Sequence, residues 1–107
     1  MAGFEQLDIL QKEIAAKASA SPGSSYTARL LADGVEKCAK KFGEEAVELA
    51  LAAVQGKRAE ATKEAADVLY HLLVLLQACG VTPADVMAEL KTRSGTSGLA
   101  EKASRAP

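Results

Sequence analysis

The chain of 107 residues has few of the side chains that build zinc sites or disulfide frameworks. It contains two cysteines and one histidine, which excludes a disulfide-rich scaffold and leaves a structural zinc site unsupported. The formal net charge of -1 gives no electrostatic reason to expect a nucleic acid or an anionic membrane as partner. The sequence has no P-loop, nucleophile elbow or G-x-G-x-x-G, so Walker-type hydrolysis and covalent serine chemistry have no support.

Long hydrophobic segments are also lacking. The most apolar run, 68–78, is interrupted by His71 and Gln77 and is too short to span a bilayer. The first residues have no basic region followed by an apolar stretch, so no signal peptide is visible. We therefore expect a single domain (1–107) that is soluble, reduced and cytoplasmic, with neither a membrane nor a nucleic acid as partner.

Helical periodicity runs through most of the sequence, and no segment has convincing strand periodicity. The predicted elements are an N-terminal helix in 1–18, a loop at 19–25, a short helical piece at 27–33, long helices at 35–54 and 59–78, a helix that begins at Thr82-Pro83-Ala84-Asp85, and a polar tail at 94–107. The polar break at 55–58 separates the two long helices. The sequence thus predicts an all-α fold, with an antiparallel helix hairpin and short flanking helices.

The second long helix has more apolar surface than one hairpin can bury. Its apolar residues extend more than halfway round the helix and comprise Val68, Leu69, Leu72, Leu73, Val74, Leu75 and Leu76. Either the short terminal helices or a second subunit must cover this surface. We expect a homodimer in which the hairpins pack together and complete a core resembling a four-helix bundle.

Five carboxylates on the two long helices carry the strongest functional signal. They form an E-E-x-x-E set and an E-x-x-D set: Glu44, Glu45 and Glu48, then Glu64 and Asp67. Glu48 and Glu64 lie eight residues on either side of Gly56, and an antiparallel hairpin places such residues at the same height. The expected patch lies about 12 Å from the turn, at about 1.5 Å of rise per residue. Because like charges at that spacing repel, we expect a cation among them, and oxygen ligands favour Mg²⁺ or Mn²⁺.

The alternative is a solvated acidic face, which is usual for glutamates at helical spacing. Matched heights, apolar surroundings and the absence of a basic residue one turn after these acids favour the metal site instead. The fitting chemistry is metal-assisted hydrolysis of a phosphate compound, in which a carboxylate orients or deprotonates water. Lys37, Lys41 and His71 extend the cluster toward the open end of the hairpin as candidate phosphate contacts. A solvated basic face and a core histidine are the alternatives for those three residues.

These residues resemble the all-α nucleoside triphosphate pyrophosphatase superfamily, the MazG-like fold, and within it the phosphoribosyl-ATP pyrophosphatase family of histidine biosynthesis. The similar stretches are 25–30, 41–48, 64–73 and 97–105. The acidic motif alone is specific only to the superfamily. The S-Y-T start, the A-A-D-x-L-Y-H-L-L block and the S-G-L-x-E-K-A-S-R tail narrow the resemblance to the smaller family.

The resemblance implies hydrolysis of 1-(5-phosphoribosyl)-ATP between its α and β phosphates, which gives phosphoribosyl-AMP and pyrophosphate. It implies a dimer, Mg²⁺ held by the residues of the two acidic sets, and substrate contacts from Ser25, Tyr26, Thr27 and Lys41. Two alternatives remain open from the sequence. One is a house-cleaning (d)NTP pyrophosphatase, which shares the acidic motif but lacks the terminal blocks. The other is a non-catalytic helical dimerisation module.

Overall fold

The computed structural model describes residues 3–95, 98, 102–103 and 105. All regular secondary structure in that part of the chain is helical. The helices are α1 (Glu5–Lys17), α2 (Tyr26–Asp33), α3 (Val35–Val54), α4 (Arg58–Cys79) and α5 (Pro83–Arg93). The predicted all-α fold class is confirmed. Most of the tail motif at 97–105 lies outside the described residues, so its role stays a prediction.

Helices α3 and α4 form the antiparallel hairpin on which the rest of the fold is built. They pack along each other more extensively than any other pair of helices. The turn between them closes through Gly56, whose φ of 70° lies in the left-handed region that a residue with a side chain rarely adopts. The Lys57 N–H donates to the carbonyl of Ala52 at 3.0 Å, so the end of α3 is satisfied within the turn. This tight connection fixes the register between the two helices.

The core is small and joins the first four helices. It contains one fully buried residue from each of them, Ile14, Leu30, Cys38 and Val74, and each is at most 2% exposed. The Cys38 Sγ donates to the carbonyl of Leu30 at 3.3 Å, which ties α2 to α3. Burial raises the pKa of the Cys38 thiol, so it stays a neutral donor. The short helix α2 is thereby held against the hairpin although Gly34, at φ 100°, interrupts the chain between α2 and α3.

Helix α5 starts as the sequence predicts. The Asp85 N–H donates to the Thr82 hydroxyl at 3.1 Å, and the Thr82 N–H donates back to the Asp85 carboxylate at 3.0 Å. This capping box, with Pro83 in the first turn, fixes where the helix begins. Among the described residues no single helix is long and apolar enough to cross a membrane, and α4 and α5 meet that test only as a pair bent by 107°.

Candidate active site

Three carboxylates converge across the α3–α4 hairpin. Glu45, Glu48 and Glu64 each place one oxygen so that the three atoms lie within 4.8 Å of one another. Glu45 and Glu48 share a face of α3 because they are three residues apart, and the turn at Gly56 sets Glu64 opposite them. Carboxylate oxygens gathered in this way are the donor set that Mg²⁺ or Mn²⁺ prefers. The residues present therefore fit a divalent cation.

The electrostatics of the cluster show the repulsion expected of such a site. Desolvation raises the pKa of Glu64, and the negative charges of Glu48, Glu45 and Asp67 raise it further. A hydrogen bond between Glu64 and Glu45 acts in the same direction, since it favours the protonated form. The cluster thus holds its negative charges at an energetic cost that a bound cation would remove.

The other two predicted acids lie at the margin of this cluster. Asp67 is exposed on α4, one turn after Glu64, and its charge acts on both Glu64 and His71. Glu44 points to Lys41 instead, with 3.4 Å between the Glu44 Oε1 and the Lys41 Nζ. The absence of a basic residue one turn after each acid does not exclude a partner one turn before it, and Lys41 is such a partner, three residues before Glu44. Both partners are partly exposed, so the pair adds little to stability.

Lys41 and His71 stand beside the acids, at matching positions of α3 and α4. The hydrogen bond that Lys41 donates to the Glu44 carboxylate raises the pKa of Lys41, so this lysine keeps its positive charge. His71 is only 6% exposed, and its Nδ1 has no hydrogen-bond partner within the described residues. Burial lowers the pKa of His71, which keeps the imidazole neutral although Glu45 and Asp67 oppose the shift. The site therefore offers one fixed cation and one neutral imidazole next to the carboxylates.

The three hydroxyl-bearing candidates, Ser25, Tyr26 and Thr27, stand at the start of α2, where the Tyr26 ring reaches His71. Ser25 caps the helix, since its Oγ accepts from the Ala28 N–H at 2.9 Å. Thr27 shares a hydrogen bond with the hydroxyl of Tyr70. Tyr26 is 53% exposed and meets the ring of His71 edge to face, with 6.3 Å between centroids. The remaining candidate, Lys37, is exposed on α3 one turn before Lys41 and forms no ion pair with the described residues.

Tyr70 also belongs to this group, although it is not among the candidate residues that the sequence predicts. Its ring lies 6.5 Å from that of Tyr26, at an interplanar angle of 20°, and 4.9 Å from that of His71. The sequence feature that indicates a place for Tyr70 in the site is its position, three residues after Asp67 and next to His71. What the sequence lacks is any indication that α2 crosses α4 at this height.

An all-α hairpin with carboxylates converging from both of its helices is the arrangement expected of the all-α nucleoside triphosphate pyrophosphatases. The family model described as phosphoribosyl-ATP pyrophosphohydrolase matches residues 7–94 of the chain. A protein of Dinoroseobacter shibae named phosphoribosyl-ATP pyrophosphatase is 62% identical over 96 residues, which cover 90% of this chain and 94% of the relative. A protein of the same name from Parvibaculum lavamentivorans is 57% identical over 104 residues, which cover 97% and 95%. The chain belongs to the phosphoribosyl-ATP pyrophosphohydrolase family, so the resemblance noted in the sequence is confirmed.

Proposed function

We propose that the chain is a cytoplasmic, Mg²⁺-dependent hydrolase that converts 1-(5-phosphoribosyl)-ATP into 1-(5-phosphoribosyl)-AMP and pyrophosphate, the second step of L-histidine biosynthesis. Family membership and the shared name of its relatives support the substrate. The observation that carries the chemistry is the approach of the Glu45, Glu48 and Glu64 oxygens to within 4.8 Å of one another. A cluster of that kind fits a metal-assisted reaction on a phosphate anhydride.

In this proposal Glu45, Glu48 and Glu64 would hold Mg²⁺, and Mn²⁺ would be accepted in its place. When bound there, the ion would neutralise charge on the phosphate oxygens and would make water at the site more acidic. Asp67, at the margin of the cluster, would complete the coordination or accept the proton of the attacking water, and Glu44 would do so only after leaving its ion pair with Lys41. Hydrolysis breaks the anhydride between the α and β phosphates. If water attacks the α phosphorus, pyrophosphate leaves with the bridging oxygen. If water attacks the β phosphorus, pyrophosphate gains the oxygen of water and phosphoribosyl-AMP keeps the bridging oxygen.

The rest of the substrate would extend from the acids toward α2. Lys41 supplies a positive charge for phosphate oxygens, Lys37 continues the basic surface, and His71, whose buried Nδ1 has no hydrogen-bond partner among the described residues, completes that end of the site. Tyr26, Ser25 and neighbouring residues line an open cavity of about 290 Å³ beside the exposed Tyr26 ring. That ring offers a flat face on which a nucleobase can stack. Substrate contacts from Ser25, Tyr26 and Thr27 are thus part of the proposal.

The test is pyrophosphate release by the purified chain from phosphoribosyl-ATP, ATP, dUTP and dCTP, with and without Mg²⁺. We expect metal-dependent release from phosphoribosyl-ATP and much slower release from the three simple nucleotides. Equal rates on dUTP and dCTP would favour a house-cleaning pyrophosphatase. A folded, metal-supplied sample that releases pyrophosphate from none of them would favour a non-catalytic dimerisation module.

We further propose that the chain works as a homodimer whose interface covers an apolar groove between α1, α4 and α5. The groove has a volume of about 580 Å³ and is lined mainly by apolar side chains, among them Phe4, Leu7, Leu72, Leu76, Met87 and Leu90. Phe4 is 72% exposed, Met87 57% and Leu90 52%. A small core beside so much uncovered apolar surface is what an obligate dimer leaves when one subunit is viewed alone. A second copy would complete the bundle-like core expected from the sequence.

Replacing Met87 with glutamate is expected to separate the proposed dimer. A charge buried without a partner in an interface costs about 3–5 kcal/mol, so the dissociation constant should rise by at least about 100-fold. Sedimentation velocity at several protein concentrations measures this directly. Val54→Glu is the matched control, because Val54 is 86% exposed on α3 and does not line the groove. A wild-type chain that sediments as a monomer at every concentration would refute the dimer.

A further inference from the structure

Tyr70 is a single side chain that joins the start of α2 to the acid-bearing face of the hairpin. Its hydroxyl shares a hydrogen bond with the Thr27 hydroxyl, 43 residues away in the sequence. Its ring stacks on that of Tyr26 and meets that of His71 at an interplanar angle of 77°. Tyr70 also follows Asp67 by three residues on α4, so both lie on the same side of that helix. One residue of the hairpin thus contacts three candidate substrate residues.

The position of α2 depends on such contacts. The helix has 8 residues, too few to be stable alone, and Gly34 breaks its continuity with α3. Its buried residues, Ala28 and Leu30, hold it against the hairpin near the middle of its length. At the first turn of α2, the hydrogen bond between Thr27 and Tyr70 adds an interaction that depends on orientation, which apolar packing does not. The orientation of Tyr26 is therefore coupled to Tyr70.

We propose that Tyr70 is a positioning residue, which sets the distance and angle between the Tyr26 end of the site and the phosphate-binding end at Lys41 and the carboxylates. This role rests on the proposed function. A substrate with a base at one end and a triphosphate at the other must meet both groups at once, and small errors in placement weaken binding and catalysis. Tyr70 itself need not touch the substrate, because it acts through Tyr26 and Thr27.

Two substitutions each remove one partner of the hydrogen bond between Thr27 and Tyr70. Tyr70→Phe keeps the ring and its stacking but removes the hydroxyl, and Thr27→Val removes the other hydroxyl. We expect either variant to raise the KM for phosphoribosyl-ATP about five- to tenfold, as is typical when one hydrogen bond is lost. The double variant should be no worse than the poorer single variant, because both changes break the same bond. Thr27→Ser keeps a hydroxyl and should restore most of the affinity.

Two readouts and one control variant separate positioning from a merely structural role. The Mg²⁺ concentration for half-maximal activity should stay unchanged, since the carboxylates are untouched. Amide hydrogen exchange should become faster in peptides of α2 but not in those of the α3–α4 hairpin. Thr62→Val is the control, because the Thr62 hydroxyl donates only to the Arg58 carbonyl within α4, at 3.0 Å, and its kinetics should match the wild type.

The outcomes distinguish this role from the proposed function. A wild-type chain that does not hydrolyse phosphoribosyl-ATP overturns both. An active wild type, with a Tyr70→Phe variant that melts earlier but keeps its KM, overturns only the positioning role and leaves Tyr70 as a packing residue. Additive losses in the double variant also overturn it, since they would mean that the two hydroxyls act independently. A raised KM with non-additivity, serine rescue and faster α2 exchange supports it.

Discussion

Replacing Glu48 with glutamine should lower the rate of pyrophosphate release from phosphoribosyl-ATP by about 10³-fold, the order of loss that follows removal of one preorganised charged group. Glu48 is exposed, and its carboxylate lies within 4.8 Å of those of Glu45 and Glu64. Glutamine keeps the size and the helix propensity of the side chain but removes the charge that would hold the proposed cation. The measurement is Mg²⁺-dependent pyrophosphate release, with circular dichroism to verify that the helices persist.

Glu36→Gln is the matched control for this variant. Glu36 lies in the first turn of α3, on the same helix but away from the converging carboxylates, so its replacement should leave the rate unchanged. Glu45→Gln and Glu64→Gln should behave like Glu48→Gln, whereas Glu44→Gln should lose less because Glu44 is paired with Lys41. Full activity of Glu48→Gln would remove the carboxylate cluster from the mechanism.

The register of the acidic cluster follows from the sequence by simple geometry. In an antiparallel hairpin, residues equally distant from the turn share a height, and Glu48 and Glu64 are equally distant from Gly56. The glycine itself supplies the tight left-handed turn, with a φ of 70°, that makes the rule applicable. Local patterns therefore predict which carboxylates meet, because the chain between them is short and regular.

Contacts between elements that are distant in sequence could not be predicted in the same way. The hydrogen bond between Thr27 and Tyr70 requires α2 to cross α4, and the helical period of α2 does not specify what it packs against. The burial of His71 has the same origin, since it depends on Tyr26 and Tyr70 covering the imidazole. The pairing of Lys41 with Glu44 is local, because residues three apart on a helix are neighbours, so the sequence alone is enough to predict it.

Removing the metal should leave the protein less stable near neutral pH, and Mg²⁺ should restore its stability. An ion at ten times its dissociation constant stabilises the state that binds it by about 1.4 kcal/mol. For a domain of this size that corresponds to a rise in Tm of roughly 5–10 °C. Thermal unfolding of the metal-free chain, followed by titration with Mg²⁺ in the absence of nucleotide, measures the effect. No change in Tm up to millimolar Mg²⁺, with or without nucleotide, would contradict a metal site on the hairpin.

The Glu64→Gln variant shows whether Mg²⁺ raises the Tm by binding at the carboxylates or by a general effect of ionic strength. Because desolvation and, after it, the neighbouring negative charges raise the pKa of Glu64, its ionised form destabilises the metal-free fold. The neutral variant should therefore melt at a higher temperature than the metal-free wild type at pH 7, and Mg²⁺ should raise its Tm much less. As the pH falls, Glu64 becomes protonated in the folded state at a higher pH than in the unfolded state, because its pKa is raised only in the fold. The wild type should then regain the stability that Glu64 costs it, and the benefit of Mg²⁺ should shrink, because a protonated carboxyl group no longer repels its neighbours or binds the ion.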